Sequence, residues 1–211
     1  MEKFTVLKGV AAPLMLANVD TDAIIRMERL SRLDRGELGP WAFESLRYLP
    51  DGSENPQFLL NQPPWCGASI LLAAENFGCG SSRETAVWAL WDLGVRCVIA
   101  PSFGDIFYGN CFQNGMLPVR LPAAEVEALA AEARSGATEI SVDLEAQQLL
   151  TASGRVIAFD IDPGRRKALL QGLDAIGVTL SYEADIARFQ ARDRERRPWL
   201  YREKMEKMGS E

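Results

Sequence analysis

The sequence predicts an α/β protein whose central strands run mostly parallel, with helices flanking the sheet. Continuous apolar runs at Ser69–Ala74, Arg96–Ala100 and Leu117–Leu121 alternate with helical patterns at Ser82–Leu93 and Gly104–Phe112. Strands buried on both faces and separated by helices pair in parallel. Further on, the short alternating segments Glu139–Leu144, Gln148–Thr151 and Val156–Ile161 are joined by tight turns such as Ser153-Gly154, which predicts a small β-meander. The 211 residues, 47% hydrophobic and 25% charged, can bury one sizeable core without staples.

Along the chain, Phe4–Gly9 reads as a short strand. Gly9–Ala17 is apolar and follows Lys8, which faintly mimics a secretory leader, but Pro13 interrupts it and Glu2 spoils the basic start. Asn18-Val19-Asp20-Thr21-Asp22 is a turn or cap cluster opening into Ala23-Ile24-Ile25. Residues 34–66 are rich in Gly, Pro, Asp, Asn and aromatics, with a short helix near Trp41–Arg47. A long irregular stretch of this kind is usually functional or partner-covered. Its Trp41, Phe43 and Trp65 fit either a partner contact or a loop packed on its own core. Pro122–Arg134 is an Ala/Glu/Leu helix with proline in its first turn. Pro163–Gly172 and Tyr182–Gln190 are further helices, and the tail at 188–211 mixes charges of both signs, as a solvated end does. The expected organisation is a single domain over 1–211.

Composition removes several classes of function. Lys and Arg number 23 against 29 Asp and Glu, a net charge of −6, which argues against nucleic acid and anionic membranes as partners. There is no histidine, so imidazole catalysis and His-based zinc sites are excluded. The four cysteines, Cys66, Cys79, Cys97 and Cys111, form no C-x-x-C and fit a reducing cytoplasm, with no metal site expected on this chain. No apolar run approaches the ~18 residues of a membrane span.

The stretch with chemical content is Asn76-Phe77-Gly78-Cys79-Gly80-Ser81-Ser82-Arg83-Glu84, between a strand and a helix. Gly78 and Gly80 allow a tight turn and a close ligand approach. Ser81 and Glu84 have the spacing of a capping box, and the free amides of a helix start attract anions. One reading is a well-capped helix and nothing more. It leaves unexplained an arginine in the first turn, where the dipole opposes it unless an anion sits between. A dinucleotide fingerprint is weak, because Arg83 replaces the third glycine and no acid lies at the ribose offset. The third reading is a carboxylate site, with Arg83 as a bidentate clamp and a serine activated by the helix end. Asp20, Thr21 and Asp22 read first as an Asx turn capping the next helix.

These residues resemble the signature of the small, swivelling subunit of 3-isopropylmalate dehydratase, in the aconitase superfamily. Asn18–Ile25, Pro101–Phe107 with Asn110, Cys111, Asn114-Gly115 and Leu117-Pro118, and Leu169–Asp174 with Ile176, Thr179 and Leu180 resemble the family's other motifs in the same order. The resemblance implies an aconitase-like swivelling β/β/α domain. It implies a hydro-lyase that isomerises 2-isopropylmalate by dehydration and rehydration in leucine biosynthesis, active only with a large subunit. It places a [4Fe–4S] cluster on that partner and none on this chain. It assigns Ser81 as the base and Ser82 and Arg83 as holders of substrate carboxylate, on a loop supported by Gly78, Cys79, Gly80 and Glu84, with Asp20, Thr21 and Asp22 near the cleft.

Two positions depart from the family pattern. Arg26 stands where proline usually follows Ile25, in the loop where relatives discriminate the substrate's side group, and Thr85 stands where histidine usually follows Arg83-Glu84. An Arg26 facing the cleft would favour another 2-hydroxy dicarboxylate, of the methylmalate/citraconate or homocitrate type, since a guanidinium is costly beside an isopropyl group. An Arg26 facing solvent leaves the isopropyl reading intact. A non-catalytic anion-binding module on the same scaffold is the reading from a different class.

Overall fold

A computed structural model describes residues 1–30, 33–80 and 83–204. The chain divides into two compact units, Met1–Leu173 and the segment from Asp174 on. The first unit is built on a seven-stranded sheet of order β4-β3-β2-β1-β5-β6-β7. Its strands are β1 (Val6–Leu14), β2 (Ile70–Ala73), β3 (Cys97–Ala100), β4 (Leu117–Arg120), β5 (Glu139–Asp143), β6 (Gln148–Thr151) and β7 (Val156–Ala158). The helices are α1 (Thr21–Ile24), α2 (Met27–Leu30), α3 (Glu44–Arg47), α4 (Thr85–Leu93), α5 (Asp105–Gln113), α6 (Ala123–Arg134) and α7 (Pro163–Gln171).

Strands β1 to β4 pair in parallel, and β5 to β7 form the antiparallel meander. The predicted α/β class, with parallel central strands and flanking helices, is the fold observed. In β2, Ile70 and Leu72 turn to one face and Leu71 and Ala73 to the other, and all four are shut off from solvent. A strand coated on both sides needs apolar residues at every position, which is why these runs are continuous. One core contains α4 and residues of the 18–68 region, and the other contains α6 and the meander.

Strand β1 joins the two halves of the sheet. Val6–Val10 pair antiparallel with β5, and Ala11–Leu14 pair parallel with β2. It therefore runs well past the expected Phe4–Gly9, and the leader-like run is sheet core. Pro13 is tolerated for a geometric reason. The Ala11 N–H donates to Thr138 O at 2.8 Å on the β5 side. Two residues on, the Pro13 nitrogen turns the same way, beyond the end of β5, so no ladder bond is lost.

The irregular 34–66 region folds onto its own core through short turns at Gly39–Trp41, Leu59–Asn61 and Trp65–Gly67 and through α3. Phe43, considered above for partner contact, is 0% exposed, and Trp41 and Trp65 pack against the same cluster. The expected helix over Trp41–Arg47 is broken because Phe43 adopts a left-handed conformation (φ 57°) that sends its ring inward. Arg29 pins this region: Nε donates to Glu44 Oε2 at 3.0 Å, Nη2 donates to Oε1, and its guanidinium lies 3.5 Å above the Trp41 ring.

The second unit comprises α8 (Ala175–Leu180), α9 (Glu183–Arg196) and a 3-10 turn at Pro198–Lys204. Asp193 organises it, accepting from Tyr201 Oη at 2.8 Å and Arg197 Nε at 2.6 Å. Those bonds, Tyr201's first, hold its carboxyl below the usual range. Helix α9 runs beyond the expected Tyr182–Gln190 because its acids lie in the first turn and arginines in the last, which suits the helix dipole.

The hydrogen bonds from Arg29 hold the Glu44 carboxyl below its ordinary 4.5. The pair's contribution is complete above that ordinary value and is lost as pH falls through the lowered one. Glu44→Gln should cost about 1.5–3 kcal/mol at neutral pH. By calorimetry it should also flatten the fall in Tm below pH 4.5, the ordinary Glu value.

Candidate active site

Beyond the carboxyl ends of β1, β2 and β3 the chain forms three loops that are laced together by their backbones. Gly78 N–H donates to Val19 O at 2.7 Å, Thr21 N–H to Cys79 O at 3.0 Å, Phe77 N–H to Ser102 O at 3.1 Å, and Gly104 N–H to Phe77 O at 2.9 Å. Asp20 and Cys79 thus pair as a parallel bridge, as do Phe77 and Phe103. The middle loop has no room for side chains at its base. A Cβ on Gly78 (φ +73°) would stand 2.2 Å from Phe107 Cγ, and one on Gly104 would stand 2.5 Å from the Gly78 carbonyl oxygen. At the tip the loop opens: Gly80 (φ +93°) is exposed, and the nearest atom to a Cβ there would be Asp20 Cβ at 3.4 Å.

Asp20 caps α1, its Oδ1 accepting from Ala23 N–H at 2.6 Å, and Thr21 is buried beside it. Asp22 points outward and accepts a hydrogen bond from Arg83 Nη2 at 2.8 Å, with the guanidinium side chain 17% exposed. This pair joins two residues that lie far apart in the sequence. Arg83 precedes α4, which begins at Thr85, so it does not sit in the first helical turn as expected. Glu84 reaches across to the segment after α5. Its Oε1 accepts from Asn114 Nδ2 at 2.7 Å, while Asn114 Oδ1 accepts from Trp88 Nε1 at 2.8 Å. Buried Asn114 has its amide oriented by Trp88 and by the Asn110 carbonyl. Ser81 and Ser82 lie outside the described residues.

Arg26 follows α1 and Ile25. It is half exposed, stands 3.4 Å from Glu28, and lines a hollow of about 610 Å³ with Arg29, Trp41, Glu44, Tyr48 and Leu49. Asn18, Asn76, Ser102 and Asn114 are polar residues of the motifs to which sequence reasoning gave no role. Their signal is position, each falling where a strand or helix ends.

Among the described residues no group of His, Cys, Asp or Glu is placed to hold a metal ion. Burial pushes the Cys97 and Cys111 thiols up, away from the thiolate that a cluster ligand requires, and Cys66 and Cys79 are free. An iron–sulfur cluster therefore finds no seat on these residues.

Three family models cover successive parts of the chain. Residues 1–124 match the aconitase C-terminal domain, 127–163 a LeuD N-terminal model, and 176–203 the C-terminal domain of the 3-isopropylmalate dehydratase small subunit. The chain is 54% identical to the 3-isopropylmalate dehydratase small subunit of Parvibaculum lavamentivorans over 201 residues, covering 95% of this chain and 100% of that one. The chain belongs to the 3-isopropylmalate dehydratase small-subunit family. The small subunit of Gluconacetobacter diazotrophicus is also 54% identical, over 96% of this chain and 98% of its own. A crystal structure of 3-isopropylmalate dehydratase from Methanocaldococcus jannaschii superposes with a TM-score of 0.65 at 25% identity, covering 87% of this chain and 99% of that one. Membership of this small-subunit family confirms the aconitase-type α/β fold that the motifs implied.

The packing at the loop base ranks two substitutions. Gly78→Ala drives a methyl into Phe107 and should cost about 1–3 kcal/mol for overpacking, beyond its left-handed backbone cost. Gly80→Ala meets only ordinary contacts and should lose roughly 1–2 kcal/mol. Chemical denaturation of the two variants reads the order directly.

Proposed function

We propose that this chain is the small subunit of a heteromeric hydro-lyase that interconverts 2-isopropylmalate and 3-isopropylmalate by dehydration and rehydration in leucine biosynthesis. The observation that carries the reading is the Arg83–Asp22 pair at an open loop tip, next to exposed Gly80 and beyond the carboxyl ends of parallel strands. A planar guanidinium suits a substrate carboxylate, which it can grip with two parallel bonds. In this reading Ser82 and the loop amides share the carboxylate, and Ser81 takes the proton from the carbon beside it. A serine needs its alkoxide stabilised for that task, which the amides of Gly80 and its neighbours would supply.

The large subunit brings what this chain lacks, and we assign to it the [4Fe–4S] cluster. The substrate is a small 2-hydroxy dicarboxylate, with no nucleic acid and no membrane involved, and the enzyme works in the cytoplasm. No described helix is long and apolar enough to cross a membrane, and the described cysteines are free thiols. Arg26, half exposed and 3.4 Å from Glu28, has a countercharge beside it and so leaves the isopropyl substrate as our reading.

The test is reconstitution of the full chain with a large subunit, following the ultraviolet absorbance of the unsaturated intermediate formed from 2-isopropylmalate. Arg83→Lys keeps charge but loses the fork, and should raise KM by roughly tenfold or more. Ser81→Ala should lower kcat by about 10²–10⁴-fold with little loss of Tm. Normal turnover by both variants would reduce the loop to a structural turn.

A further inference from the structure

The side chains of Asn18, Asn76 and Ser102 form a contact that the reaction chemistry does not use. Asn18 (φ 55°) and Asn76 (φ 60°) are both left-handed, and each reverses the chain just after its strand, β1 or β2. Asn76 Nδ2 donates to Asn18 Oδ1 at 2.8 Å, and Asn76 N–H donates to Ser102 Oγ, on the loop after β3, at 2.8 Å. A third bond, Asn18 N–H to Glu75 O at 2.9 Å, closes the ring. Each of the three motif-bearing loops contributes one member. Asparagine tolerates the left-handed conformation better than other residues with a side chain, so the backbone reversal and the amide bond come from one residue type.

We propose that Asn76, held by Asn18 and Ser102, is a positioning residue for the anion-gripping loop. It sets the distance between the β1 loop, which carries Asp22, and the β2 loop, which leads to Arg83, and so fixes where their ion pair stands. This rests on the function proposed above only in taking that pair as the substrate grip. Backbone bonds alone tie these loops further in, at Val19–Gly78 and Thr21–Cys79, whereas the asparagine pair ties them at the outer bend where both chains turn.

The direction of the amide bond gives the test. Asn18 accepts, so Asn18→Asp keeps an acceptor and the clamp. Asn76 donates, so Asn76→Asp faces acceptor against acceptor and opens it. Asn76→Gly keeps the left-handed backbone and deletes the amide. In the enzyme reconstituted with its large subunit, Asn76→Asp and Asn76→Gly should lower kcat by about tenfold to a hundredfold. Tm should stay close to wild type, and Asn18→Asp should keep wild-type kcat. Hydrogen exchange on the full chain should quicken at the Gly78 and Thr21 amides in the two Asn76 variants and not in Asn18→Asp. Unchanged exchange, wild-type turnover by the Asn76 variants, or equal damage from Asn18→Asp overturns the proposal. If the wild-type complex itself leaves isopropylmalate untouched, the functional reading fails and the exchange pattern alone judges the clamp.

Discussion

The base of the loop after β2 has no clearance. Gly78 lies against the Phe107 ring, and Gly104 lies against the Gly78 carbonyl, both closer than any Cβ allows. Two consequences follow from that contact. The loop cannot move closer to the Phe107 ring, which is itself held by Phe77 and Phe103 with ring centroids 5.5 and 6.4 Å away. It also cannot slide along the sheet, because its amides and carbonyls are already committed to the loops on either side. A rigid base is what lets an exposed tip hold a fixed shape in water, where local hydrogen bonds by themselves stabilise little.

Aromatic packing and backbone pairing act at different depths in this arrangement. Phe77, Phe103 and Phe107 are buried and supply the apolar contact. The described loop-to-loop bonds are polar and include the Asp22–Arg83 pair. That pair matters for the electrostatics. An arginine side chain only 17% exposed needs a countercharge nearby, and Asp22, 59% exposed, provides one that still faces water. The ion pair therefore sits at the boundary, where the proposed function has a substrate carboxylate meet the guanidinium without a buried charge being created first.

Much of this was legible in the sequence, and the parts that were not share a cause. β2, β3 and β4 announced themselves as unbroken apolar runs because both their faces are covered. β1 was legible only in part, since Pro13 reads as a breaker until one knows that β5 has ended beside it. Residues 34–66 fitted either a partner contact or a loop packed on its own core, and Leu38, Ala42 and Phe43 are core; with periodicity absent, only tertiary contact shows which aromatics turn inward. At the site, the strand–turn–helix setting of Gly78 and Gly80 was readable from residue type. The start of α4 was not: it begins at Thr85, past Arg83 and Glu84, and Glu84 accepts from Asn114 at the end of α5. Asp22 and Arg83 were each singled out on local grounds, but their pairing depends on how two loops meet.

The same distinction bears on the proposed division of labour between the two subunits. Local signals, meaning glycines, a short acidic cap and an arginine before a helix, specify the proposed anion grip. Among the described residues, its cysteines are consigned either to the core or to isolated positions, where burial keeps the inner two as thiols. With no histidine anywhere in the sequence, little remains to act as an acid or base at neutral pH except groups whose chemistry the fold itself alters. A hydroxyl beside oriented amides is one such group, and its reactivity is only as good as the placement of those amides. In the proposed enzyme, then, precision of loop geometry stands in for intrinsic basicity, and the zero-clearance packing at Gly78 and Gly104 is where that precision originates.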